Sequence, residues 1–211
     1  MPLDFHLTAA SDRELPLHLV EEISHRVANE YAEAIAGLSL AAAGDGRPDV
    51  RQVLKHAADR LHAHAEAHRA LMPPIDGQVN LADYLGRLCA TFSRATLADR
   101  CVRLSVDTDE IWLPADRAWR IGLTVAELIR NAARHGLRGR AGSIGVKVAQ
   151  AGDDVVCAVC DDGSCVADTT PGRGVAVARA LADDLGGSIE WLFTSRGCLA
   201  RLRIPAAARV S

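Results

Sequence analysis

Residues 126–136 read AELIRNAARHG, and the predicted fold and chemistry of this chain both start from this stretch. As a helix, it has one apolar and one polar side. Glu127, Asn131 and Arg134 lie at i, i+4 and i+7, so at about 100° per residue they project within roughly 40° of each other. Gly136 is placed to end the helix with a residue in the left-handed conformation.

The polar side of this helix combines a carboxylate, a carboxamide and a cation. An amide oxygen can ligate a hard cation, a carboxylate can hold the metal or one of its waters, and Arg134 and His135 can meet phosphate oxygens. These side chains favour a magnesium–triphosphate site that includes Glu127 and Asn131. A solvated helix face without a ligand is the alternative, and this stretch alone does not distinguish the two.

The composition argues against several classes of protein. The chain has 211 residues, which suits one large domain or two small ones. Its net charge of −3 gives no footprint for nucleic acid or an anionic membrane surface. No apolar run approaches the ~20 residues that span a bilayer, and the N-terminus lacks the pattern of a signal peptide. We therefore expect a cytoplasmic protein with neither a nucleic-acid nor a membrane partner.

Two amphipathic helices are predicted before the central stretch. Apolar residues recur every three or four positions over residues 15–43 and again over 49–72, with a glycine-rich break between them. Residues 1–14 are polar and are interpreted as a short arm. A helical hairpin cannot bury both apolar stripes by itself, which favours a homodimer with a four-helix bundle. Packing of the hairpin on the rest of its own chain is the alternative.

The first helix carries a candidate phosphoacceptor, His25. This residue lies off the apolar stripe, and Glu22 and Asn29 are its neighbours on the helix surface at −3 and +4. The carboxylate would orient the imidazole and raise its basicity, and Arg26 could meet an incoming phosphoryl group. The plainer interpretation is an exposed histidine without a function.

Two patterns resemble metal sites without completing one. His64 and His68 at i, i+4 could grip a metal, but no third ligand is evident. Cys157 and Cys160 form a CxxC on a predicted strand, where positions i and i+3 face opposite sides. Reduced thiols are therefore favoured over zinc.

The second half of the chain is predicted to alternate helices and strands. After a linker at 75–80, Asn80 is expected to cap a helix over 81–97. Strands at 102–106 and 111–113 are expected to pair, and the central helix covers 114–136. The further predicted elements are strands at 143–150, 155–160, 188–193 and 199–204, and a helix at 175–185. This order predicts an α/β sandwich with helices on one face of a mixed sheet.

Two glycine-containing motifs follow predicted strand ends. Asp161-Asp162-Gly163 offers a carboxylate to an exocyclic amine, and the glycine lets the backbone pass close to a ring. Gly172-Arg-Gly174 opens the next helix, whose free N–H groups and dipole favour phosphate oxygens. Each motif is weak by itself, and their order along the chain is more specific.

Together these motifs resemble the catalytic core of two-component sensor histidine kinases, in the branch with an H-R-x-x-N acceptor box related to the HWE kinases. The resemblance covers roughly residues 15–205. It is carried by the acceptor box at 22–29, the segment at 80–85, the N box at 113–135 and two glycine boxes at 161–163 and 172–187. It implies an α+β chain, in which a hairpin for dimerisation and phosphoacceptance (15–74) precedes an ATP-binding domain of the GHKL (Bergerat) fold (75–211).

The resemblance also implies roles for individual residues. His25 would be phosphorylated, with Glu22, Arg26 and Asn29 beside it. The cofactors would be ATP and Mg²⁺, with Asn131 and Glu127 at the metal. The other residues expected to contact ATP are Arg134, His135, Asp161, Gly163, Gly172 and Gly174.

Three departures from the family pattern keep other functions open. Cys165 stands where the first glycine box normally ends in glycine, the lid has about ten residues, and some 14 residues precede the hairpin. A sensor is therefore expected to act in trans. The favoured function is a histidine kinase that passes its phosphoryl group to a response-regulator receiver domain. The alternatives are a histidine phosphotransferase with a degenerate ATP-binding domain, and a GHKL-type regulator without phosphotransfer.

Overall fold

The structure, a computed structural model, describes residues 17–74, 77–164 and 173–206. Two long helices come first, α1 (Leu17–Gly44) and α2 (Pro48–Ala70), and they pack against each other as a hairpin. Asp45 closes the connection, because its carboxylate accepts hydrogen bonds from the backbone and side chain of Arg47. The predicted arm at 1–14 lies outside the described residues.

A sheet domain follows the hairpin. It begins with β1 (Gln78–Asn80) and α3 (Leu81–Phe92), which continues as a π-helical turn and a 3-10 turn to Arg100. The remaining elements are β2 (Val102–Thr108), β3 (Trp112–Pro114), α4 (Ala115–Asn131), a π-helical turn (Ala132–Gly136), β4 (Gly142–Ala151), β5 (Asp154–Asp161), α5 (Arg173–Asp184), β6 (Ser188–Thr194) and β7 (Gly197–Pro205). Asn80 caps α3 as predicted, because its side chain accepts from the Ala82 N–H at 2.9 Å.

Five strands form the main sheet in the order β2-β4-β5-β7-β6. The β2–β4 pair is parallel and the other pairs are antiparallel, so the sheet is mixed. Alternate residues of the central strands are buried under α3, α4 and α5, among them Val146, Cys157 and Leu202. The opposite face, which includes Cys160, Arg201 and Arg203, is open to solvent. The predicted α/β sandwich with helices on one face is confirmed.

The structure corrects three local predictions. Strand β3 pairs with β1 and not with β2, so residues 78–80 form a strand where a linker was expected. Helix α3 ends at Phe92, since the backbone widens into a π turn before Leu97. Gly136 is not left-handed, because the first positive φ angles after α4 occur at Arg138 (49°) and Gly139 (81°).

The hairpin contacts the sheet domain and still exposes apolar residues. Trp119 Nε1 donates to the Leu71 carbonyl at 2.8 Å, and Arg94 pairs with Glu66 at 3.0 Å. Ile23, Leu40 and Val53 nevertheless remain 51%, 77% and 68% exposed. Packing on its own chain therefore covers one part of the hairpin and leaves another free. No helix in the described ranges is long and apolar enough to cross a membrane.

Candidate functional site

A cavity of about 880 Å³ lies between α4 and α5, over strands β5, β7 and β6. Most of the residues predicted to bind nucleotide in the second half of the chain line it, although they come from three separate motifs. They are Glu127, Asn131, Arg134, His135, Asp161 and Gly174. The fold therefore brings the N box and both glycine boxes to one place.

The end of α4 departs from the helix that the sequence predicts. The backbone changes from α to π geometry after Asn131, and the π turn covers Ala132–Gly136. Such wide turns occur often at functional sites. Arg134 and His135 both line the cavity and are exposed, so both side chains are available to an anionic ligand.

Glu127 and Asn131 meet the start of α5 at one end of the cavity. A Cβ at Gly174 would lie 3.0 Å from Asn131 Oδ1 and 3.3 Å from Glu127 Oε2, so the glycine allows this close approach. Asn131 Nδ2 is buried and has no hydrogen-bond partner among the described residues. An amide and a carboxylate fit Mg²⁺, which usually takes one or two protein ligands together with phosphate oxygens and water. Within the described residues, no group of three or more His, Cys, Asp or Glu side chains is gathered for a metal.

Arg130 is a residue of this site that the sequence interpretation missed. Its Nη1 atom pairs with Glu127 Oε1, and its guanidinium carbon lies 5.1 Å from the centre of the Phe92 ring. Both contacts hold Arg130 in place, so its positive charge offsets the negative charge of Glu127. The i, i+3 spacing of the two residues was a sequence signal for this pair.

Asp161 sits in a cradle of glycines at the end of β5. A Cβ added to Gly136 would lie 2.5 Å from Asp161 Oδ1. A Cβ added to Gly163 would lie 2.2 Å from the Gly136 carbonyl oxygen, and one added to Gly197 would lie 1.8 Å from the Asp161 carbonyl oxygen. Gly136 is thus needed for close packing on Asp161 rather than for a left-handed turn. A larger residue at any of these positions would displace the carboxylate or the hairpin β6–β7.

Burial changes the acidity of this carboxyl. Burial raises the pKa of Asp161 above its ordinary value, and it outweighs the backbone N–H groups of Gly163 and Cys198, which donate to Asp161 and lower its pKa. The neighbouring Asp162 accepts hydrogen bonds from the Ser143 hydroxyl and, at 2.8 Å, from the Ser143 N–H, and these two bonds lower the pKa of Asp162. Of the two acidic residues in the motif, Asp161 is the one that lines the cavity.

The acceptor box lies on α1, apart from the cavity. His25, Arg26 and Asn29 are exposed, and none of the described residues of α1 lines the cavity. Arg26 Nε donates to Glu22 Oε1 at 2.9 Å, so Glu22 is paired with Arg26 rather than with the imidazole. The exposed position of His25 agrees with its place off the apolar stripe.

The predicted site and the cavity lining differ at several residues. Gly172 and Cys165 lie outside the described residues, and Gly163 contacts the cavity residue Asp161 through its N–H at 2.9 Å. The sequence interpretation did not include Arg179, Trp191, Phe193 and Cys198, which also line the cavity. The period-two alternation of β6 and β7 would have placed the last three on the same sheet face.

Comparisons with known proteins agree with this geometry. Residues 22–96 match a family model described as histidine kinase, and residues 93–197 match one described as histidine kinase-like ATPase domain. The sensor histidine kinase PdtaS of Mycobacterium tuberculosis is 28% identical over 199 residues, which are 90% of this chain. The chain spans 40% of the length of that curated relative.

Solved structures share the fold at low sequence identity. The histidine kinase domain of the Erythrobacter litoralis EL346 blue-light activated histidine kinase has a TM-score of 0.59 at 20% identity, covering 84% of this chain and 96% of that one. A bacterial phosphotransferase has a TM-score of 0.63 at 12% identity, covering 92% of this chain and 98% of that one. With the two family models spanning residues 22–197 between them, the chain belongs to the histidine kinase family and carries a histidine kinase-like ATPase domain.

Proposed function

We propose that this chain is the kinase core of a two-component phosphorelay. It phosphorylates His25 from Mg–ATP and passes the phosphoryl group to an aspartate of a response-regulator receiver domain. The observation that carries the proposal is the single cavity in which the N box and both glycine boxes converge, with Glu127, Asn131, Asp161 and Gly174 among its lining residues.

The cavity residues divide between the two ends of a nucleotide. Asp161 accepts a hydrogen bond from the exocyclic amine of the base, and Gly163 and Gly136 let the backbone lie close to it. At the other end, Asn131 and Glu127 hold Mg²⁺, which when bound neutralises charge on the phosphates. Arg134 and His135 bind phosphate oxygens, and Gly172 and Gly174 border them. Positioning and charge neutralisation are the main sources of catalysis in phosphoryl transfer.

His25 supplies the nucleophile in this proposal. An imidazole nitrogen forms a bond to the γ-phosphorus while the bond from that phosphorus to the ADP oxygen breaks. Arg26 balances the charge of the phosphorylated imidazole, and Asn29, one turn away, orients the group or water during transfer. Glu22 holds Arg26 on this surface through the 2.9 Å ion pair.

The proposal divides the chain into two working parts. Residues 15–74 dimerise and carry the phosphoacceptor, and residues 75–211 bind ATP. Exposed Ile23, Leu40 and Val53 on the hairpin support a homodimer, because burial against a second hairpin would remove them from water. Sedimentation that gives monomer at all concentrations would overturn the dimer.

A histidine phosphotransferase is the second candidate. The observation that favours it is the fold that this chain shares with a bacterial phosphotransferase over 98% of that chain. In this case His25 relays phosphoryl groups between receiver domains without ATP, and a sensor in trans is not required.

Incubation of the full chain with γ-labelled Mg–ATP separates the two candidates. Wild type is compared with His25→Ala, Asn131→Ala and the matched control His56→Ala, an exposed histidine on the same hairpin. Acid-labile label on wild type and His56→Ala alone supports the kinase. No label, together with no ATP binding by calorimetry, overturns the kinase. Loading of His25 from a phosphorylated receiver domain would then support the phosphotransferase.

A further inference from the structure

The sheet register places two aromatic residues beside the cavity, Phe193 in the same row as Asp161 and Trp191 in the next row. Phe193 is paired with Cys198, and the Cys198 N–H donates to Asp161, so these three residues form one row across β6, β7 and β5. Neighbouring strands lie about 4.8 Å apart, which puts Phe193 roughly 10 Å from Asp161 along the row. The next row joins Trp191 and Val159 through Ala200.

Side chains are small in the middle of the cavity floor and large at the edge strand β6. Cys198 and Ala200 have small side chains, whereas Phe193 and Trp191 raise two rings at the edge strand β6. Phe193 is 46% exposed although its side chain belongs to the face that the helices cover. The Arg179 guanidinium carbon lies 5.2 Å from the centre of the Trp191 ring, so Trp191 is held from the side of α5.

Exposed aromatic surface inside a cavity is unfavourable in water and suits a planar, apolar ligand surface. A base whose amine reaches Asp161 extends over the small residues toward the two rings. Among the described residues, strands β5, β6 and β7 contribute no cationic side chain to the lining, whereas Arg130 and Arg134 come from α4 and the turn after it and Arg179 from α5.

We propose that Phe193 and Trp191 form the aromatic wall of the base subsite, opposite Asp161, with Cys198 and Ala200 as its floor. This inference rests on the proposed binding of ATP and adds residues that determine affinity for the base. It separates the site into a base end read by Asp161 and the aromatic wall, and a phosphate end read by Asn131 and the cations.

Calorimetry on the full chain tests the wall with two probes, Mg–ATP and Mg–tripolyphosphate, which lacks a base. Phe193→Ala is expected to weaken ATP about tenfold, the scale of one base–aromatic contact, and to leave tripolyphosphate unchanged. Leu192→Ala is the matched control, because Leu192 is the adjacent residue, is 60% exposed and projects from the opposite sheet face. Leu192→Ala is expected to stay within about twofold of wild type for both probes, and Phe193→Tyr, which keeps a ring, is expected to recover most of the ATP affinity that Phe193→Ala loses.

Tryptophan fluorescence gives an independent readout for Trp191. ATP is expected to change the emission of wild type but not that of Trp191→Phe. Trp112→Phe is the control, because Trp112 is 57% exposed and does not line the cavity, and its emission should still change with ATP. The conservative variant Trp191→Phe keeps a ring in place, so loss of the signal does not depend on unfolding.

The outcomes distinguish the wall from the kinase itself. Equal ATP affinity in wild type and Phe193→Ala overturns the wall and leaves the proposed kinase intact. Equal weakening of ATP and tripolyphosphate also overturns it, since Phe193 would then act on the whole cavity. Absence of ATP binding to wild type overturns both proposals together.

Discussion

The helical hairpin and the sheet domain hold their candidate functional side chains in opposite ways. Asp161 is partly buried and is framed by Gly136, Gly163 and Gly197, each of which leaves no room for a Cβ. His25 is exposed on α1, and neither of its ring nitrogens has a hydrogen-bond partner among the described residues. The difference indicates a preorganised binding half and an acceptor half that is completed by whichever partner approaches it.

Replacing the acceptor is the largest expected effect on activity. His25→Ala is expected to lower phosphoryl incorporation by about 1,000-fold or more, because the nucleophile is removed. Its affinity for ATP should equal that of wild type, since none of the described residues of α1 lines the cavity. Phosphor-imaging of labelled protein and calorimetry measure the two quantities. Label retained on His25→Ala at the wild-type level would assign the acceptor to another residue.

Filling the glycine cradle tests how rigid the binding half is. Gly197 has a φ of +132°, and its Cβ would lie 1.8 Å from the Asp161 carbonyl oxygen. Gly197→Ala is therefore expected to lower the free energy of unfolding by about 3 kcal/mol, from strain and overpacking together. Chemical denaturation measures it. A loss below about 0.5 kcal/mol would mean that the cradle yields easily.

The acidity of Asp161 gives a pH test of base recognition. Since burial raises its pKa, the carboxylate is protonated at a higher pH than an ordinary aspartate, and ATP affinity should fall as pH decreases through that raised value. Asp161→Asn is expected to weaken ATP by about 2 kcal/mol at neutral pH and to remove this pH dependence. Titration with ATP, compared with tripolyphosphate at each pH, isolates the contribution of the base. An unchanged pH profile in Asp161→Asn would exclude this carboxyl as its origin.

The same raised pKa has a consequence for stability. The folded state holds the Asp161 proton more tightly than the unfolded chain does. Asp161 therefore stabilises the fold at pH values below its pKa in the unfolded chain. This contribution is lost as pH rises through its pKa in the folded state. Asp161→Asn should therefore not lower the Tm at neutral pH. A clear decrease in Tm would show that the hydrogen bonds to the carboxylate outweigh the cost of its burial.

Arg130 tests a smaller contribution to the metal end. Arg130→Ala removes the partner of Glu127 and is expected to reduce the rate of autophosphorylation about tenfold and to shift its Mg²⁺ dependence. Arg130→Lys keeps a positive charge and should recover part of the rate. Rates measured over a range of Mg²⁺ concentrations separate this effect from general loss of stability. An unchanged Mg²⁺ dependence in Arg130→Ala would remove Arg130 from the site.

The smallest expected effect lies in the hairpin. A Cβ at Gly37, within α1, would meet no atom within 4 Å, in contrast to Gly197. Gly37→Ala is therefore expected to stabilise the chain by about 0.5–1 kcal/mol through helix propensity. Thermal denaturation with sedimentation provides the measurement. Loss of stability together with dissociation would indicate that a second copy packs closely against Gly37.

Local chemistry in the sequence predicted much of the fold. The Asn80 cap, the opposite faces of Cys157 and Cys160, and the helix end at Gly186, which has a φ of +69°, depend on neighbouring residues along the chain. The pairing of β3 with β1 could not be read in this way, because the two strands are separated by α3 and by β2. A short apolar strand carries no signal for its partner.

The sequence by itself determined which side chains could bind a nucleotide and in what order they occur. Spacing on one helix put Glu127 and Asn131 together, because the helical repeat is a local property. Only the tertiary structure decided that Trp191 and Phe193 line the same cavity as Asp161, since that depends on the register of three strands. It also decided why Gly136 must be glycine, because the atom that excludes a Cβ there belongs to Asp161, which lies 25 positions further along the chain.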